Sequence, residues 1–330
     1  VIARSRQRGV ALLVALLVVA IAVILVAALL DRGELAFART RNSLREQQAE
    51  AYSLGLETYA AQVLIAASNE VDSNVSPWAM PLPPQDVPGG VIRATMRDID
   101  GCFNLNNLAP PALGGNPALW APTFGGLLAA LALDPGIAAA VQGWLDPEQA
   151  EVAESARYLA QSVPYRAHGG VFAHVSELRL VRGVDAGAYA KLAPHVCALP
   201  PGTAINVNTA SAPVLQALLQ DATPAVAQSL WQDGRALNQT VSQFTGQLAP
   251  LGVSLRSPAP PIDVHSRYFL ARGDIVLDGV PYTFFSVIER GQGRGVRVLA
   301  RSRGADDALV AAAPVRAEAD IGGDAGTPPR

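Results

Sequence analysis

The chain has two cysteines and four histidines in 330 residues, and neither set forms a metal or catalytic pattern. His168, His174, His195 and His265 lie in no HExxH or CxxH spacing, and Cys102 and Cys197 are too far apart for a zinc motif. No GxSxG elbow and no GxxxxGK[ST] phosphate loop occurs. The residues therefore predict no enzyme. A basic excess is also missing: the formal net charge is −3, which argues against a nucleic-acid partner. The most local absence is between Val10 and Leu30, where no side chain is charged or polar.

At ~1.5 Å rise per residue this run is about 30 Å long, the thickness of a bilayer's hydrocarbon core. Arg4, Arg6 and Arg8 precede it, and a basic flank stays cytoplasmic. The bulk of the chain is thus expected across the membrane. A secretory signal peptide fits poorly, because the run is long and no small-x-small cleavage site follows. Two readings remain. One is a plain single-span anchor. The other is a prepilin leader, cut on the cytoplasmic side between Gly9 and Val10 with the apolar helix retained. In an exported chain an even cysteine count permits one disulfide, Cys102–Cys197; two separate buried thiols are the other reading.

Half of the residues are hydrophobic, so a sizeable core is available. From Glu34 to Ala67 there is no proline, and Tyr52, Leu56, Tyr59 and Val63 share one helix face. The membrane helix is expected to continue as an amphipathic one, with Asp31-Arg32-Gly33 at the bilayer exit. Residues 69–90, rich in proline, read as a loop. Alternation over 91–97 predicts a half-buried strand leading into DIDGCFNLNNL. Helices joined by proline turns are expected at Pro122–Ala132, Pro135–Leu145, Pro147–Leu159 and Val175–Leu180. A further helical unit covers 203–255, where Thr209 or Ser211 caps a helix begun at Pro213. After a proline-rich linker at 256–262, strands at Tyr268–Leu277, Tyr282–Glu289 and Val296–Arg301 form an antiparallel meander. With the strand at 91–97 they make a small sheet, covered by the long helix. The Ala/Asp/Gly/Pro-rich segment after Arg301 is expected to be disordered.

INVNTA at Ile205–Ala210 resembles the start of a helix-hairpin-helix DNA-binding motif. The Gly-x-Gly hairpin that would face phosphates is replaced by Leu219–Pro224, and no Lys or Arg occurs between Ile205 and Trp231. The hairpin's fold is therefore expected without its binding function. A membrane-anchored DNA-binding protein of the competence type is the alternative function. Acidic residues cluster at Asp146, Glu148, Glu151 and Glu154. They are a candidate calcium site or the solvated first turn of a helix, with Asp146 as N-cap before Pro147.

These motifs in this order resemble the K-type minor pseudopilins of type II secretion systems, from Arg4 to Arg301. RQRG before the apolar helix resembles the prepilin start. DIDGCFNLNNL, GWLD at Gly143–Asp146, PYR at Pro164–Arg166, SELRLVRGV at Ser176–Val184 and INVNTA resemble the family's later motifs. The resemblance implies an α+β pseudopilin fold, a long N-terminal membrane-spanning helix on a small antiparallel sheet, with a large inserted all-α domain. Its divisions are a leader (1–9), a transmembrane part (10–30), an amphipathic continuation (31–68), and a loop with the first strand (69–108). An inserted SAM-like helical domain (109–202), a helix-hairpin-helix-like unit (203–258), the closing meander (259–301) and a tail (302–330) follow.

The implied function is at the tip of a periplasmic fibre that exports folded proteins across the outer membrane. Implied partners are I-type and J-type minor pseudopilins, other pseudopilins, the inner-membrane secretion platform and the prepilin peptidase. Implied placement is the inner membrane, single-pass, with a cytoplasmic N-terminus and a periplasmic globular part. Most pilin-like subunits carry Glu at the fifth mature position; here it is Val14, a substitution that K-type subunits share and that suits a subunit with none above it. The family's calcium-linked segment reads Ala153-Glu-Ser-Ala-Arg-Tyr158, with Ser155 where Asp is usual.

Overall fold

The computed structural model describes residues 7–67, 71–291 and 295–304. Helix α1 (Gln7–Ala66) runs without interruption past Asp31-Arg32-Gly33, so the expected bilayer exit is not a break. A single glycine costs an exposed helix only ~1 kcal/mol. Among the described residues α1 is the one helix long and apolar enough to cross a membrane, and its apolar window is wholly unburied. Burial begins at Ala49 and continues through Ala60 and Leu64, with Tyr52, Leu56 and Val63 beside them. Tyr59 departs from the predicted face and is 46% exposed. The sheet-facing row instead steps from half-buried Leu56 to buried Ala60 and Leu64, four residues at a time.

The sheet has five antiparallel strands in chain order: β1 (Leu82–Val87), β2 (Gly90–Asp98), β3 (Tyr268–Leu277), β4 (Val280–Arg290) and β5 (Val296–Arg303). The predicted loop at 69–90 therefore contains a strand. Pro83 and Pro84 lack N–H donors, but β1 lies at the sheet edge, and its register shifts between Leu82 and Gln85 where the prolines sit. Asp278 and Gly279 both take positive φ, as a tight hairpin between twisted strands requires. Across the sheet Ala94 faces Gly273, and Gly273 faces Phe284. A Cβ on Gly273 would lie 2.5 Å from Leu56 Cδ1, so glycine here lets α1 seat on the sheet. The end of β5 at Arg303 takes two residues from the expected disordered tail; 305–330 lie outside the described residues.

Residues 99–267 form the insertion between β2 and β3. Its helices are Pro117–Ala130, Gly136–Leu145, Ala186–Leu192, Ala212–Leu218, Pro224–Trp231 and Val241–Gly246. The first starts before the expected Pro122, because Asn116 accepts the Leu119 N–H (3.3 Å) and Pro117 opens the helix. The helix expected over Pro147–Leu159 is divided into Pro147–Gln149, a π turn at Ala150–Glu154, and Ser155–Leu159. Val175–Leu180 is a 3₁₀ helix. Phe103, Trp120, Phe124, Trp144, Tyr158, Val214, Leu218 and Phe244 all belong to one apolar core. The two predicted helical units thus share a single interior. The expected linker at 256–262 is tied down: Arg256 donates to the carbonyls of Ala217 (3.0 Å) and Leu219 (2.9 Å), and Ile262–Asp263 pairs parallel with Ile205–Asn206.

Candidate functional site

The two asparagine-rich motifs meet where the helical insertion joins the sheet. β2 ends at Asp98, and Asp98, Asp100 and Gly101 then face Ile205–Ala210 across the chain. The Asp98 carboxylate accepts the Asp100 N–H (2.7 Å) through Oδ1 and the Thr209 hydroxyl through Oδ2. The Asp100 carbonyl accepts the Asn206 N–H (3.1 Å). Gly101 makes this approach possible: a Cβ there would sit 2.5 Å from the Thr209 carbonyl carbon. Glycine, two aspartates and threonine are thus parts of one contact.

The next three asparagines hold loops. Asn104 accepts the Leu199 N–H (3.0 Å) and donates to the Pro200 carbonyl (2.9 Å). Asn106 accepts the Phe172 N–H (2.7 Å) and donates to the carbonyls of Phe172 and Leu199 (2.9 Å each). Asn107 accepts the Gly202 N–H (2.8 Å) and donates to the Thr203 carbonyl (2.9 Å). An amide side chain supplies donor and acceptor together, which suits loops whose backbone groups would otherwise be buried unpaired. The Cys102–Cys197 disulfide lies in the same place, with Cα atoms 5.8 Å apart, and resolves the two sequence readings in favour of the bond.

Behind the junction is a buried charge cluster that the sequence did not single out. Asp72, fully buried, accepts from Trp78 Nε1 (2.8 Å), the Ser266 N–H (2.8 Å) and the Arg290 guanidinium. Asn206 donates to the Asp72 carbonyl (3.1 Å) and the Ser266 hydroxyl (2.7 Å). Asp100 Oδ2 accepts the Arg267 N–H (2.6 Å), while its Oδ1 is buried without a partner. Burial pushes Asp98 up to about 6, against the opposing pull of its Thr209 hydrogen bond. Burial first, and the neighbouring Asp98 second, push Asp100 well above the usual carboxylate range. Asp100 also lines a cavity of about 340 Å³, with His265, Arg267, Glu289 and Arg297 among the other walls.

The hairpin that resembled a DNA-binding element is turned inward. Asn208 accepts the Asn238 N–H (2.7 Å) and donates to the Asn238 carbonyl (3.0 Å). Thr209 is spent on Asp98. Ser211 occupies the N-cap position of Ala212–Leu218 but makes no cap bond; its hydroxyl meets His195 Nδ1 at 2.8 Å. Leu219–Gln220, where phosphate-facing glycines would stand, pairs antiparallel with Ser254–Leu255.

The four acids of the candidate calcium site are not gathered. Asp146 accepts the N–H groups of Glu148 (2.9 Å) and Gln149 (3.3 Å) and caps its own helix. Glu148 and Glu151 are exposed. Glu154 is buried and faces two guanidiniums: Arg157 donates to Oε1, and Arg182 Nη2 lies 3.8 Å away. Ser155, which stands where Asp is usual in the resembled segment, donates to the Ala150 carbonyl. Among the described residues no group of three or more His, Cys, Asp or Glu side chains is placed to hold a metal ion. Glu154 Oε2 is buried without a partner, but the arginine charge at Oε1 and the separation of the four acids do not suit a calcium ion. Gly9, Val10 and Val14 all lie on α1.

Family models described as type II secretion system (T2SS), protein K, match residues 101–201 and 205–265, the insertion just described. The type II secretion system protein K of Pseudomonas aeruginosa is 35% identical over 322 residues, covering 91% of this chain and 94% of that protein. The chain belongs to the type II secretion system protein K family. Protein K of Klebsiella pneumoniae is 34% identical, covering 91% of this chain and 97% of its own. The solved GspK-GspI-GspJ complex from enterotoxigenic Escherichia coli matches with a TM-score of 0.69 and 32% identity, covering 81% of this chain and 99% of that one. The chain is therefore a minor pseudopilin of the type II secretion system. In protein K terms, the family motifs are the struts that fix a helical head on a pilin-like sheet and stalk. The DNA-binding alternative finds no support in these relatives or in the inward-facing hairpin.

Proposed function

We propose that the chain sits at the tip of the periplasmic pseudopilus, where it begins or caps the fibre. Val10–Leu30 anchors it in the inner membrane, with the N-terminus cytoplasmic and the globular part periplasmic. The prepilin peptidase cuts between Gly9 and Val10. Its partners are I-type and J-type minor pseudopilins, then the other pseudopilins and the inner-membrane platform. The work done is packing and shape recognition, without catalysis.

The observation that carries the tip reading is Val14. It lies on α1 in an unbroken apolar run. A carboxylate inside a bilayer is costly unless it is paired, and in a pilin-like fibre its partner is a neighbour's N-terminal amine. Val14 offers no such pairing, so this subunit has no use for a neighbour above it. The likeness to protein K of a three-subunit complex supports the two named partners.

The test is co-expression of the full chain with its cognate I-type and J-type subunits, followed by detergent extraction and size-exclusion chromatography. A stoichiometric three-subunit peak is expected. Elution of the chain alone, with the other two co-eluting without it, would contradict the proposal.

A further inference from the structure

Three buried aspartates, Asp72, Asp98 and Asp100, converge on the junction, and Arg290 is the buried cation among them. Arg290 Nη2 is committed to Asp72 and to the Ser266 carbonyl (2.6 Å), its Nη1 is buried without a hydrogen-bond partner, and the guanidinium stacks on Phe269. The other charged groups nearby face one another on the cavity wall, with two cations on one anion. Arg267 and Arg297 both pair with Glu289, the former at 2.5 Å, and His265 pairs with Asp263 at 2.7 Å. Asp98 and Asp100, 6% and 4% exposed, would each carry negative charge in a low-dielectric interior. Asp100 Oδ1, unpartnered, has no donor to stabilise it as an anion. One proton removes most of this cost, because adjacent buried carboxylates do not both ionise readily. The cavity walled by Asp100 gives that proton a route to solvent.

We propose that Asp98 and Asp100 hold one proton between them and act as a proton-tightened latch between the sheet and the helical insertion. The carboxylates bind the elements that must stay together. Asp98 holds Thr209 of the insertion, and Asp100 holds Arg267 at the entrance to β3. With the proton present, these contacts cost no uncompensated charge. When it leaves, the two anions repel, and the segments Ile205–Ala210 and Val264–Tyr268 loosen. The raised position of both carboxyls agrees with this: the folded state holds the proton more strongly than the unfolded chain. Stability from the latch is thus fully present below about pH 4, the unfolded value, and is lost as the pH rises through about 6, where Asp98 gives up its proton.

Hydrogen exchange on the full chain in detergent micelles, compared at about pH 5 and about pH 8 after correction for intrinsic rates, tests this. Peptides covering Ile205–Ala210 and Val264–Tyr268 are expected to be about tenfold more protected at the lower pH, the factor supplied by the one unit between about pH 5 and about 6. Asp100→Asn is expected to retain protection and lose the pH dependence, whereas His265→Gln keeps both. If Asp100→Asn fails to fold, an infrared titration of the wild type replaces it: a protonated carboxyl band should persist to about pH 6, beyond ordinary carboxylates. Equal protection at both pH values, unchanged pH dependence in Asp100→Asn, or absence of that band would overturn the latch.

Discussion

The Thr209 hydroxyl donates to the Asp98 carboxylate, and this bond joins the last residue of a sheet strand to the turn before the Ala212–Leu218 helix, 111 residues away. Gly101 beside it has room for no side chain. Gly101→Ala should therefore force Thr209 away and destabilise the head by about 1–3 kcal/mol, the usual cost of overpacking. Thermal unfolding followed by circular dichroism reads this as a fall of several degrees. Thr209→Ser, which keeps the hydroxyl, should cost much less than Thr209→Val.

The Cys102–Cys197 bond closes a loop of 95 residues at the same junction. Its loss in Cys102→Ser should cost up to ~4–5 kcal/mol on the chain-entropy account, an upper figure for real proteins. Non-reducing mass spectrometry of the exported chain should find no free thiol. The Cys102→Ser chain should melt well below the wild type.

Glu57 on α1 is buried against the sheet and accepts from Ser286 (2.6 Å) and from Arg301 (2.7 and 2.8 Å). Burial alone would raise its carboxyl, but the Arg301 and Ser286 bonds outweigh it and hold it below the usual range. The stability it provides is thus fully present above about pH 4.3, the unfolded value, and is lost as pH falls through the lower folded value. Glu57→Gln should lower the melting temperature at neutral pH, and the gap to wild type should close in acid. A gap that widens below about pH 4 would contradict this assignment.

Arg157 and Arg182 neutralise Glu154 internally. The melting temperature should accordingly be the same in millimolar calcium and in excess chelator. A calcium-dependent rise of several degrees would show a metal site that these residues do not suggest.

Periodicity and turn chemistry made the main frame legible. The apolar run, the alternation at 91–97 and the Asp278-Gly279 turn all lie close in sequence to what they determine. The Cys102–Cys197 pair was one of two readings left open by the even cysteine count, and the inserted order followed from the order of the predicted helices and strands. What was hidden depended on distant partners. Asp72 looks like an ordinary loop residue, yet it holds Ser266 and Arg290, 194 and 218 residues away. β1 was masked by its prolines, although Val87 and Val91 flanking Pro88–Gly90 carried a hairpin signal; an edge strand can spare the missing donors. Asp146 was legible as an N-cap before Pro147, whereas Glu154 stood among the candidate ligands because spacing shows acids and not the arginines folded against them.

The most direct test of the assembly-subunit account is the mature N-terminus of the full-length chain produced beside an active prepilin peptidase. Intact-mass and N-terminal peptide analysis should find the chain beginning at Val10, N-methylated, and Gly9→Leu should abolish that product. A chain that keeps Arg4–Gly9 beside an active peptidase, or that is cut after the apolar helix, would contradict the account.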